Sequence, residues 1–105
     1  MLTIEDIKQA YEEGITLRLK RKPAPDKRKG EFDLLNLEVR IFLPGAESKE
    51  DKELTILHEF IHARDGIKGY RYRDRKDYNV EREAANTLRY RSEVLKFIKQ
   101  LYKIR

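Results

Sequence analysis

The apolar residues of this chain change their spacing along its length, and that alternation limits the fold more than any other feature. Ile4, Ile7, Ala10 and Tyr11 recur at helical intervals. Thr3 and Asp6 have the spacing of a capping box and Gly14 offers a stop, so a first helix is predicted from Ile4 to Glu13. The period then falls to two. Ile15, Leu17 and Leu19 alternate with Thr16, Arg18 and Lys20, as in a strand with one face buried. A Lys- and Pro-rich loop occupies residues 21–30. Beyond it, Leu35, Leu37, Val39, Ile41 and Leu43 alternate with Asn36, Glu38 and Arg40 until Pro44-Gly45 ends the run. Ser48 and Asp51 open a central helix with Leu54, Leu57, His58 and Ile61 on its inner face and Gly66 as its stop. Residues 67–78 lack a clear period and read as a loop. Asn79 can cap a last helix in which Glu81, Ala84, Ala85, Leu88, Leu95, Ile98 and Leu101 fall on or near one side. The order predicts one α+β domain over residues 1–105, with a small sheet of two to four strands, three expected and mostly antiparallel, packed with three helices.

Composition narrows the setting. A chain of 105 residues can bury one small core. It has 41% charged residues, five Asn and Gln, no Cys and one Met, a thermophile-like balance that excludes a disulfide-stapled fold. The longest stretch free of charged side chains is Ile41 to Ala46, far short of the roughly 20 apolar residues of a membrane helix. Met1 to Asp6 shows no basic or long apolar leader region, and the cytoplasm is the expected compartment.

His58-Glu59-Phe60-Ile61-His62 is an H-E-x-x-H motif inside the central helix. Residues four apart lie one turn apart on the same face, so both imidazoles can reach one Zn²⁺ at about 2.0–2.1 Å. Glu59 follows the first ligand directly and is placed to act as general base on water. The chain holds two histidines, and chance would set them four apart with a glutamate after the first in about 0.2% of such sequences. A catalytic zinc takes three protein ligands, and with no other His and no Cys the third must be a carboxylate. Asp65 is too close along the chain. Glu81 opens the next helix on the face it shares with Ala84, Ala85 and Leu88, which makes it the expected ligand; Glu83, about 200° around that helix, is the alternative.

H-E-x-x-H, eighteen residues and then Glu81 resembles the gluzincin metallopeptidases, in which two His and a downstream Glu hold zinc. The likeness covers about residues 35 to 90. Glu81-Arg82-Glu83-Ala84-Ala85-Asn86 is similar to the E-x-E-A-[DN] signature of the CAAX-prenyl-protease and heat-shock membrane-protease relatives, except that Ala85 stands at the acidic or amide position and Asn86 comes one later. Among these, the chain most resembles the small minigluzincins, which look like those proteases reduced to a minimal zincin-like core. The resemblance implies a zinc-dependent endopeptidase, one Zn²⁺ per chain, made as a latent zymogen whose C-terminal segment, about residues 90–105, covers the cleft of its own subunit or of a partner copy. That would allow a homodimer through the C-terminal helix. It also implies a Tyr or His that steadies the oxyanion. No His is left, and of Tyr70, Tyr72 and Tyr78 the choice falls on Tyr78. The strand from Leu37 to Leu43 is expected to hold an extended peptide substrate by edge pairing.

The basic balance, 24 Lys and Arg against 19 Asp and Glu, is modest for a charge-rich surface. Lys68 to Lys76, interleaved with Tyr70 and Tyr72, has the composition of a nucleic-acid footprint. Yet the acids are spread through the same segments, so a peptide rather than a nucleic acid is the expected partner. A class of metal-dependent RNA-processing proteins has a third His six residues beyond its second, where this chain has Lys68. A metal-binding or basic nucleic-acid-binding module without peptidase activity is the alternative reading. The C-terminal stretch carries Val94, Leu95, Phe97, Ile98 and Leu101 at amphipathic spacing, so it can complete the core or cover the cleft.

Overall fold

In the computed structural model, residues 1–69 and 77–104 are described, without the side chains of 77 and 78. The elements run α1 (Ile4–Glu12), β1 (Thr16–Lys20), β2 (Gly30–Asp33), β3 (Glu38–Phe42), α2 (Lys49–Ile67), α3 (Asp77–Tyr90) and α4 (Ser92–Leu101). This is the expected α+β arrangement of a three-stranded sheet with helices. The local signals account for several boundaries. The Thr3 hydroxyl accepts from the Asp6 N–H while the Asp6 carboxylate accepts from the Thr3 N–H, a complete capping box. The Ser48 side chain accepts from the Asp51 N–H at 3.0 Å and starts α2. That helix runs one residue past Gly66, and Gly69 takes the left-handed conformation (φ +88°) beyond its end.

The sheet order is β1-β3-β2, with β3 parallel to β1 and antiparallel to β2. The pairing is therefore mixed rather than mostly antiparallel. The strand richest in buried apolar residues takes the centre: Val39 and Ile41 of β3 are both fully buried, whereas β1 shows only half-buried Leu17 and Leu19. The alternating run read from Leu35 onward is divided. Leu34 to Leu37 form the turn of the β2–β3 hairpin, and Leu35 is 95% exposed. Asp33 closes this turn by accepting from both the main-chain N–H and the side-chain amide of Asn36 (3.1 and 2.7 Å). On the outward face of the sheet, Arg40 is gripped by Glu31, Asp33 and Glu38.

The inward face packs on α2. Phe32, Val39 and Ile41 join Ile56, Leu57, Phe60 and Ile61 in one core with Leu2, Ile7, Val80, Ala84 and Ile98. Each such fully buried aliphatic or aromatic side chain contributes about 1.5–3 kcal/mol. Gly66 lets the hairpin approach closely, since a Cβ there would stand 3.1 Å from the Phe32 ring. The long helix expected at the C-terminus is divided at Arg91 (φ −139°, ψ 50°), giving a fourth helix. No Gly or Pro marks this point; the bend lets Val94, Leu95 and Ile98 fold back against α1 and α3. Tyr102 then donates to the Ile15 carbonyl at 2.8 Å, and burial pushes its phenol well above the ordinary tyrosine value. No helix among the described residues is long and apolar enough to cross a membrane.

Candidate metal centre

His58 and His62 stand one turn apart on the face of α2 that looks toward β2 and α3. Their Nε2 atoms are 3.1 Å apart and their rings meet nearly edge to face, with centroids 4.8 Å apart. Both ring nitrogens cannot carry a proton toward each other at this distance; the pair must share one proton or hold a cation between them. A Glu59 carboxylate oxygen lies within 4.8 Å of both, and Glu59 and His62 are each only 6% exposed. The three side chains form a group that can hold a metal ion, the one such group found among the described residues.

Two cavities meet at His58 and Glu59. The larger, about 590 Å³, lies between Lys29 and Gly30, the first half of α2 at Leu54 and Thr55, and Glu81, Ala84 and Ala85 of α3. The smaller, about 330 Å³, runs from the same two residues past His62 to Arg28, Glu31 and Phe32. Gly30 borders both. A Cβ on Gly30 would stand 2.9 Å from the Thr55 methyl, 3.0 Å from the Arg40 carbonyl oxygen and 3.1 Å from the Glu59 Cγ, so only glycine lets β2 lie this close to the carboxylate. At the rim, Lys29 donates to Asp51 at 3.0 Å. That hydrogen bond, with the charges of Asp51, Glu47 and Glu81, holds Lys29 above the ordinary lysine value. Asp51 is held low, first by the Glu47 N–H and then by Lys29.

The expected site residues divide as follows. His58, Glu59 and His62 come together. Glu81 is exposed and lines the larger cavity opposite His58, outside the tight three-residue group. Glu83, the alternative ligand, is engaged instead by the Arg64 guanidinium. Tyr78 sits in the first turn of α3, three positions before Glu81, but its side chain lies outside the described residues, as do Tyr70 and Tyr72.

One expectation is corrected. The strand from Leu37 to Leu43 cannot pair with a peptide, because β3 is central and both its edges are taken by β1 and β2. The edge beside His58 and Glu59 belongs to β2. Phe42 N donates to Lys29 O, so residues 29, 31 and 33 turn their main-chain groups toward β3 and leave those of Gly30 and Phe32 facing outward. Among the described residues, none of α4 lines either cavity, and Val94, Leu95 and Ile98 of that helix are buried in the core. Sequence reading passed over β2 because Phe32 is the one large apolar residue in its four; the Asp33/Asn36 pair after it was the available signal.

Comparison with protein-family models, curated proteins and solved structures finds no match to this chain.

Proposed function

We propose that this chain is a zinc-dependent metallopeptidase of the gluzincin type, with His58, His62 and Glu81 as ligands and Glu59 as general base. The observation that carries this reading is the 3.1 Å separation of two imidazole nitrogens with a buried carboxylate beside them, at the meeting point of two cavities. Two nitrogens on a tetrahedral zinc at about 2.0–2.1 Å stand about 3.3 Å apart, so the imidazoles need almost no movement to take the ion. The donor set of two His and a carboxylate is one that zinc favours in hydrolytic sites, and Glu81 reaches it by turning inward across the cavity it lines. The likeness to minigluzincins in the H-E-x-x-H and Glu81 segments supports the same assignment.

A bound zinc would polarise the scissile carbonyl and acidify a water. The protein does the rest. The two cavities that meet at His58 and Glu59 would receive the substrate's side chains on either side of the scissile bond. Glu59 takes a proton from water at its carboxylate and returns it to the amine of the departing half. Burial beside Gly30 keeps that carboxylate in one place, so little reorganisation is needed when the proton moves. Tyr78 is the residue proposed to steady the oxyanion.

The test is hydrolysis of casein by the full chain. A strong chelator should abolish cleavage and about one equivalent of zinc should restore it; cleavage that persists after complete metal removal would end this reading.

A further inference from the structure

We infer that the Arg64–Glu83 ion pair is a positioning device for the metal centre: it fixes the roll of α3 about its own axis and so aims Glu81 at the histidines. The inference rests on Glu81 being the third ligand. Arg64 follows His62 by two residues and Glu83 follows Glu81 by two, so each lies about 200° around its helix from the ligand it follows. His58 and Glu81 line the larger cavity, to which α2 and α3 both contribute, and the charged pair joins the same two helices away from it. Between them, Val80 and Ala84 of α3 are fully buried and present small side chains to the contact.

The pair has the geometry to resist it. Arg64 presents Nη1 and Nη2 to the two oxygens of Glu83, and Nε and Nη2 to Asp65 Oδ1 at 3.1 and 3.0 Å. Such a two-point grip sets orientation as well as distance. Both side chains are largely withdrawn from water, 12% and 13% exposed. One turn further along α3, the Thr87 hydroxyl donates to the Glu83 carbonyl at 2.8 Å and accepts from the Leu2 N–H at 3.2 Å, which anchors the same face of the helix to the N-terminal segment.

The experiment is zinc titration of the full chain against a chromophoric chelator, for the parent, Glu83→Gln, Glu81→Ala and the double variant, with melting curves for each. Arg64→Lys, which keeps the charge and loses the fork, replaces Glu83→Gln should that variant not fold. The expected result is a 10- to 100-fold loss of zinc affinity in Glu83→Gln, a larger loss in Glu81→Ala, and a double variant no weaker than Glu81→Ala, because the pair acts through Glu81. Losses that add in the double variant, or no loss in Glu83→Gln while Glu81→Ala is impaired, would overturn the positioning role and leave the ligand set standing. Undiminished affinity in Glu81→Ala would overturn both.

Discussion

His58 and His62 present their Nε2 atoms to each other across 3.1 Å, with the Glu59 carboxylate within 4.8 Å of both. Neutral imidazoles that close gain most by sharing a cation, and the native state holds them there while the unfolded chain does not. Binding is therefore expected to stabilise the fold. With free zinc at about 100 times its Kd the gain is about 2.7 kcal/mol, which for a domain of this size raises Tm by roughly 10–20 °C. Thermal melts with and without chelator read this directly. His62→Ala should abolish the shift, and an unshifted parent would count against a preformed site.

Substitution at Gly30 is expected to separate the proposed catalysis from metal binding. A methyl there meets the Arg40 carbonyl, which cannot move aside without disturbing the sheet, so the strain falls on Thr55 and Glu59. Gly30→Ala should keep zinc affinity within about threefold yet lower kcat on the order of 10²-fold, the scale on which misplacing a reacting group acts. Parallel loss of both would mean that the substitution unfolds the edge strand.

Removing the C-terminal helix should not release activity. Val94, Leu95 and Ile98 lie in the core, Lys99 pairs with Glu53 at 2.7 Å, and Tyr102 rests against Phe60 and Tyr11. Ile98→Ala alone is expected to cost about 2–5 kcal/mol. Deletion from Ser92 onward should abolish cooperative melting. A folded, more active product in a casein assay would contradict this and show that the segment blocks the cleft.

Carboxylates on the outward face of the sheet are expected to contribute to the acid limit of the fold. Asp33 is held below the ordinary 3.8, first by the Asn36 side chain and main chain and then by Arg40. Burial acts to raise Glu38 above the ordinary 4.5, but hydrogen bonds from Arg40 and Arg18 outweigh it and the net shift is downward. A carboxyl whose folded value is depressed adds stability that is complete above its unfolded value and fades as the pH falls through the folded one. Stability should therefore hold from neutral pH down to the ordinary carboxylate range and fall below it. Glu38→Gln should flatten that acid limb in denaturant melts at successive pH values, and an unchanged limb would remove Glu38 from the account.

Much of this was legible in the chain. Thr3 with Asp6 and Ser48 with Asp51 mark helix starts by hydrogen bonds that close within three residues, so local chemistry alone announces them. The H-E-x-x-H motif is legible for the same reason, since one helical turn brings its parts together. Non-local choices were not. Nothing within Glu38–Phe42 says that this strand will lie between two others; that follows only once Val39 and Ile41 compete with β1 and β2 for the core. The bend at Arg91 is likewise imposed by what Val94 and Ile98 pack against. Glu83 read as a spare ligand because its partner, Arg64, sits on a different helix nineteen residues earlier.

The assignment of Glu59 is tested most directly by cleavage of an unstructured peptide with Glu59→Gln, the zinc content being determined on the same sample. The expected result is about one zinc per chain, as in the parent, with cleavage reduced about 10²- to 10⁴-fold, the contribution of a general acid–base group. A zinc-loaded Glu59→Gln protein that cleaves at the parental rate would contradict it.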